Sequence, residues 1–201
     1  LESNNKKQEK AIRQYEKYLL TTAEKMRGAG SPYGYVAMGS TMVCTAEAYC
    51  AVGGMSRKKV TEDFYFLQEL SKFSGVYILP EILVHPSSRP ISRVYLGTGF
   101  RMKQAQNGFD MNMLYYSDVA FHLLSNWIDL GSNAWKMELS LLKKKTAALH
   151  PSLTEFLQQE GVADIWINLQ NSAPSESHFT KQFHRWFDGL KTIRLLKRFT
   201  I

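Results

Sequence analysis

Apolar residues recur at helical spacing over most of the chain, and polar breaks separate the helical segments. The first segment ends at Gly28-Ala29-Gly30-Ser31-Pro32, where glycine and proline are typical of a turn. The periodicity predicts helices over residues 4–26, 45–51, 62–73, 110–127, 134–149, a segment following Ser152, and 176–199.

Short stretches in the first half show β-strand character instead. Residues 35–43 form a mixed run of this kind, and residues 76–80 and 82–84 are apolar runs bounded by turn residues. Beyond Phe109 the pattern is helical. It therefore predicts a helix-rich α+β fold, with an α+β front half and an all-α back half.

Composition places the chain among ordinary globular proteins, because 44% of its 201 residues are hydrophobic and 21% are charged. No uninterrupted apolar run approaches the ~18–20 residues needed to span a bilayer. The chain opens Leu1-Glu2-Ser3 without a methionine, so we expect it to be part of a longer protein. Cys44 and Cys50 lie in an apolar stretch and are predicted to be buried thiols in a reducing compartment.

Positive charge is concentrated at the end of the chain. The formal net charge is +7, and the last 24 residues contain six basic residues against one acid, Asp188. Basic residues beside helically spaced apolar ones predict an anionic partner, namely a membrane surface, a nucleic acid or a phosphate-bearing substrate. The alternative is that these residues form an ordinary solvated helix face.

The most informative pattern lies between residues 39 and 99. Gly53-Gly54-Met55 is followed by a basic loop, by Thr61-Glu62-Asp63 at the start of a helix, and by a strand and a loop rich in proline and arginine. This order resembles the acceptor-side half of family-2 glycosyltransferases with the GT-A fold. The resemblance implies that residues 1–108 are the C-terminal half of such a domain, and that residues 109–201 are an appended all-α extension.

By this resemblance, Asp63 is the catalytic base that takes the proton of the acceptor hydroxyl, and Glu62 lines the acceptor side. Thr61 is predicted to cap the helix. The two acids are also what an ordinary helix N-terminus carries, because the helix dipole favours anions there. Gly53 and Gly54 either allow the backbone to approach substrate closely or simply form a turn.

Four further residues near the same pattern are candidate ligands, namely Arg89, Arg93, Thr98 and His85. Arg89 and Arg93 precede the turn that contains Thr98, and arginine forks with small-residue amides are suited to diphosphate oxygens. The alternative for the arginines is a salt-bridged surface loop. His85 follows the predicted strand at 82–84, where some relatives place a metal- or substrate-binding residue, although a lone histidine is more often structural.

Gln182, Arg185 and Trp186 match the Gln-x-x-Arg-Trp motif of processive members of the same family, where the motif holds the acceptor end. Here the motif lies much farther from Glu62-Asp63 than in those enzymes, and no membrane span follows it. Trp186 also lies on an apolar helix face, so packing in the core is the alternative.

A family-2 enzyme needs a nucleotide-binding half with an Asp-x-Asp motif that binds Mg²⁺ or Mn²⁺, and the sequence contains no Asp-x-Asp. The resemblance therefore implies a fragment that is inactive alone. The full-length enzyme would use a nucleotide sugar, a sugar or lipid-linked acceptor and Mg²⁺ or Mn²⁺. Its expected location is the cytoplasm or the inner face of the plasma membrane, with peripheral contact through residues 176–201.

A different class of function is a basic helical interaction module that binds a membrane surface, a protein or a nucleic acid. Nucleic acid is the least favoured of these partners, because the sequence lacks a helix-turn-helix, zinc-ligand or RNA-binding signature.

Overall fold

A computed structural model describes residues 2–57, 61–84 and 97–200 of the chain. This described part contains ten α-helices and two short 3₁₀ turns, Gly39–Thr41 and Met111–Leu114. The helices are α1 (Glu2–Gly28), α2 (Ala46–Ala51), α3 (Glu62–Phe73), α4 (Thr98–Gln106), α5 (Asp118–Ser132), α6 (Leu139–Leu149), α7 (Pro151–Gln159), α8 (Val162–Ser172), α9 (Glu176–Trp186) and α10 (Gly189–Arg198).

The described part is all-α, being 69% helical with no strand. The predicted α+β class is therefore wrong. The resemblance to the acceptor-side half of a GT-A glycosyltransferase is also contradicted, because that half requires a β-sheet core.

Within the described part of the chain, the segments with β-strand character have no partner strand. Residues 35–43 contain a 3₁₀ turn, and residues 76–84 follow no regular hydrogen-bonding pattern. A strand is stable only when its N–H and C=O groups pair with a neighbouring strand. Pro80 interrupts the second segment and has no N–H to donate. The large apolar side chains of residues 77–84 are exposed to solvent, and Tyr77 is 90% exposed.

The chain divides into two compact units, each built from two separate segments. The first unit comprises Leu1–Glu24 and Gly34–Tyr115, and the second comprises Lys25–Tyr33 and Tyr116–Ile201. The domain boundary predicted between residues 108 and 109 stays a prediction.

The first unit has two apolar clusters. One joins the apolar face of α1 to α4 and the second 3₁₀ turn, and the other joins α2 to α3. The buried members of the first cluster are Ala11, Ile12, Tyr15, Met102 and Met111. Those of the second are Ala48, Phe66, Leu67 and Leu70.

The core of the second unit is aromatic and is centred on α5. Trp127 is fully buried and meets the rings of Phe183, Trp186 and Phe187 at steep angles, with centroids 5.5, 6.4 and 5.6 Å away. Such edge-to-face pairs add about 0.5–1.5 kcal/mol each beyond the burial of their area. This cluster joins α5 to α9 and to the turn that follows α9.

Helix caps explain where the back half departs from the predicted helices. The terminal segment 176–199 is two helices, because Asp188 begins α10 and its carboxylate accepts from the Lys191 N–H at 3.1 Å. Similarly, Ser117 caps α5 through Ala120 N–H at 3.2 Å, so this helix begins at residue 118.

Two further observations concern the cysteines and membrane spans. Cys44 and Cys50 are both free and exposed, so the prediction that they are buried is wrong. Within the described ranges, no helix combines the length and the apolar character needed to cross a bilayer.

Close packing between α5 and α9 makes Gly131 a test of this core. A β-carbon at Gly131 would overlap the Phe183 ring, whereas one at Gly28 would meet nothing within 4 Å. We expect Gly131→Ala to lower the free energy of unfolding by about 1–3 kcal/mol through overpacking. Urea denaturation measures the change.

Gly28→Ala is the matched control, because alanine is the better helix former and the site is open. It should leave stability unchanged or raise it by less than about 1 kcal/mol. Equal effects of the two substitutions would contradict the described packing of α9 on α5.

Candidate functional site

Glu62 and Asp63 occupy the first turn of α3, as the sequence predicts. The Asp63 carboxylate Oδ1 accepts from the N–H of Phe64 at 2.8 Å. That N–H belongs to the first turn, where backbone donors lack a partner inside the helix. The contact gives Asp63 a structural role that requires no substrate.

Thr61 precedes this helix in an unexpected conformation. It stands at the N-cap position, but its side chain makes no capping hydrogen bond, and its φ of 66° lies in the left-handed region. A β-branched residue is strained in that region. The predicted capping by the Thr61 hydroxyl is therefore wrong, and Asp63 supplies the acceptor instead.

Asp63 belongs to a small polar group in the first unit. A side chain added at Gly39 would contact its Cβ at 3.6 Å, so the backbone passes close to this carboxylate. The pKa of the nearby Tyr15 is raised chiefly by burial, and the Asp63 and Tyr18 side chains raise it further while Arg101 lowers it. Tyr15 therefore keeps its phenolic proton at neutral pH.

Gly53 and Gly54 form the turn that ends α2. Their N–H groups donate to the carbonyl oxygens of Cys50 and Tyr49 at 3.0 and 2.8 Å, and both residues have positive φ. The Tyr49 ring lies against Gly54, where a β-carbon would approach it to 2.9 Å. The arrangement matches the turn that the sequence left open as an alternative to substrate contact.

Thr98 is the first residue of α4 and follows Gly97, whose φ is 84°. The other candidate ligands for substrate, His85, Arg89 and Arg93, lie outside the described residues. Among the described residues, no group of three histidine, cysteine, aspartate or glutamate side chains is arranged to hold a metal ion.

Gln182, Arg185 and Trp186 lie on α9 in the second unit, whereas Glu62 and Asp63 lie in the first. Trp186 packs into the aromatic cluster beside Phe183 and Phe187, with centroids 6.1 and 6.0 Å away. The Gln182 amide is 3.3 Å from the imidazole Nε2 of His178. These contacts favour core packing for Trp186.

The basic terminal segment divides into two kinds of cation. Arg194 and Arg198 form ion pairs with acids of the α7 region, Glu160 at 3.1 Å and Glu155 at 3.7 Å. Glu160 is mostly buried, so its pair with Arg194 fixes α10 against α7. Sequence spacing did not reveal these pairs, because their partners are more than 30 residues apart.

Three other cations of the segment face solvent without such partners. Lys181 and Lys197 are exposed and Lys191 is half-buried. Within residues 2–57, 61–84 and 97–200, no acidic side chain forms an ion pair with any of the three. We call Lys181, Lys191 and Lys197 the terminal lysines.

His184 is a half-buried titratable group of α9. Its ring lies against Phe183, with centroids 5.3 Å apart, and its Nδ1 atom is buried without a hydrogen-bond partner in the described part of the chain. Its carbonyl oxygen accepts from the Tyr33 hydroxyl at 2.6 Å. Burial lowers the pKa of His184 below its ordinary value of 6.5.

No protein-family model matches the chain, and no curated protein or solved structure is significantly similar to it.

Removal of the Asp63 carboxylate tests its role at the helix start. Asp63→Ala removes the acceptor of the Phe64 N–H and a favourable charge, so we expect the free energy of unfolding to fall by about 0.5–1 kcal/mol. Asp63→Asn keeps an acceptor oxygen and should cost less. Urea denaturation compares the two, and equal losses would contradict the hydrogen bond.

The depressed pKa of His184 predicts a loss of stability in mild acid. As the pH falls through 6.5, the unfolded chain takes up a proton that the folded chain resists. The free energy of unfolding should therefore decrease as the pH is lowered from about 7.5 to about 5.5. Urea midpoints across this range measure the slope.

His184→Gln should flatten that slope, whereas the same change at the exposed His122 should preserve it. An unchanged slope in His184→Gln would show that other groups cause the pH dependence.

Proposed function

We propose that the chain is a basic helical interaction module, and that its terminal segment binds a negatively charged macromolecular surface. One observation carries the proposal. The apolar faces of α9 and α10 are buried in the core of the second unit, while the terminal lysines face outward. Phe179, Phe183, Leu195 and Leu196 are all fully buried.

The cations of the terminal segment differ in their partners. Some pair with acidic side chains of the fold, and the others are available for binding. Arg194 pairs with Glu160, whose side chain is only 11% exposed, so this pair helps to hold the fold. Arg198 and Glu155 are both more than half exposed and lie 3.7 Å apart, so their pair contributes little. The terminal lysines have no comparable role within the described residues. Exposed cations without internal partners attract anionic surfaces and raise the rate of encounter with them.

The expected mode of binding is electrostatic contact rather than insertion. An interfacial helix inserts its apolar face into the lipid. Here that face is covered by α5 and the aromatic cluster. Contact between residues 176–201 and a membrane surface therefore uses the cations of the segment.

The glycosyltransferase alternative is less well supported than binding. It depended on a resemblance that requires a β-sheet. In addition, Asp63, Gly53 and Gly54 have helix-end contacts that account for them. We therefore favour binding over sugar transfer.

Retention of the full chain on heparin-agarose tests the proposal. The variant Lys181→Gln/Lys191→Gln/Lys197→Gln should elute at a lower NaCl concentration than the wild type, because three cationic contacts are lost and such contacts are screened by salt. Circular dichroism checks that the variant keeps its helix content.

The matched control is Lys72→Gln/Lys103→Gln/Lys136→Gln, which removes the same formal charge elsewhere. Lys72 is paired with Glu69 at 2.9 Å, and Lys136 lies over the Trp135 ring at 4.4 Å. If the two triple variants elute at the same salt concentration, total charge governs retention and the proposal is wrong.

A further inference from the structure

The first helix presents a second basic surface, in the other unit of the chain. Four cations recur along α1 at intervals of four, three and four residues, and we call them the cationic ridge: Lys6, Lys10, Arg13 and Lys17. All four are exposed. At about 100° per residue they fall within an arc of about 60°, over a length of about 16 Å.

Packing of α1 fixes the direction of the ridge. Ala11, Ile12 and Tyr15 form the opposite face and are buried against Met102 and Met111. Burial of that face turns the ridge toward solvent within the first unit.

Two acids flank the ridge on one side, and the exposed Glu24 lies in line with it, about 10 Å beyond Lys17. Glu9 pairs with Arg13 at 2.8 Å, but the side chains are 59% and 74% exposed, so solvent screens the pair. Glu9 and Glu16 both fall on the same flank of the helix. A flat anionic surface can contact the ridge without approaching Glu9 and Glu16. A groove with negative walls on both sides would bring one of its walls against these two acids.

The chemistry of the ridge distinguishes among anionic partners. Base stacking on single-stranded nucleic acid requires exposed aromatic side chains, and protein interfaces depend on buried aromatic or arginine anchors. The ridge has no aromatic member, and its one arginine, Arg13, is exposed and already paired with Glu9 at 2.8 Å. A straight row of cations on a convex helix instead fits a plane, since all four groups can reach it together.

We propose that the cationic ridge binds the negatively charged surface of a phospholipid bilayer, with α1 lying along the membrane plane. The lysines and the arginine contact lipid phosphates and carboxylates without insertion of the helix. Each basic residue close to the membrane surface contributes separately to such binding. Removal of one cation should therefore lower the affinity about fivefold, and the affinity should also fall as the salt concentration rises. This proposal concerns a different surface from the terminal lysines and stands without them.

Co-sedimentation of the full chain with vesicles tests it. We expect pelleting with phosphatidylcholine vesicles that contain phosphatidylserine, and none with phosphatidylcholine alone. The variant Lys6→Gln/Lys10→Gln/Lys17→Gln should bind about 100-fold more weakly. The corresponding lysine-to-arginine variant should bind like the wild type, which separates charge from any effect on folding.

The terminal-lysine variant is the charge-matched control and should retain most of the binding. Inorganic phosphate should displace the chain no better than NaCl at equal ionic strength, because the ridge is not a site for the free ion. Wild-type binding by the ridge variant would overturn the proposal. So would loss of vesicle binding only in the terminal-lysine variant, or a ridge variant that loses binding to duplex DNA but not to vesicles.

Discussion

The packing of Trp127 against the aromatic side chains of α9 is the interaction on which the second unit depends. The Trp127 ring centroid lies 5.5, 6.4 and 5.6 Å from those of Phe183, Trp186 and Phe187. Gly131 lets α9 approach α5 at the adjacent turn, because any side chain there would overlap Phe183. The position of the terminal helices follows from this contact, and the direction in which their cations point follows from that position.

The same packing buries the apolar side chains of α9 and α10 and leaves their charged side chains at the surface. A basic helix with an exposed apolar face would insert into membranes or aggregate. In this chain the apolar faces of α9 and α10 are internal, and two of the arginines are tied to Glu155 and Glu160. What remains outside is mainly lysine, which is suited to reversible and salt-sensitive contact.

Local sequence patterns predicted most of the helices but missed α4, and they predicted the fold class wrongly. Amphipathic spacing located α1, α2 and α3, whereas the starts of α5 and α10 were missed because Ser117 and Asp188 lie inside longer segments of helical periodicity. The β-strand character of residues 76–84 led to a wrong prediction of strands, because strand propensity is realised only when a partner strand supplies hydrogen bonds. For the candidate site, Glu62 and Asp63 were correctly placed at a helix start. Their surroundings, and the ion pairs of α10, depend on contacts distant in sequence.

Hydrogen exchange of the full chain, read on peptides that cover α5, α9 and α10, tests most directly whether one aromatic core holds the terminal segment. The account predicts that amides of residues 176–198 are protected as strongly as those of α5, and that both lose protection together in denaturant. Rapid exchange over 176–198 with a protected α5 would contradict it, because the terminal helices would then be unpacked and their apolar faces available to a partner.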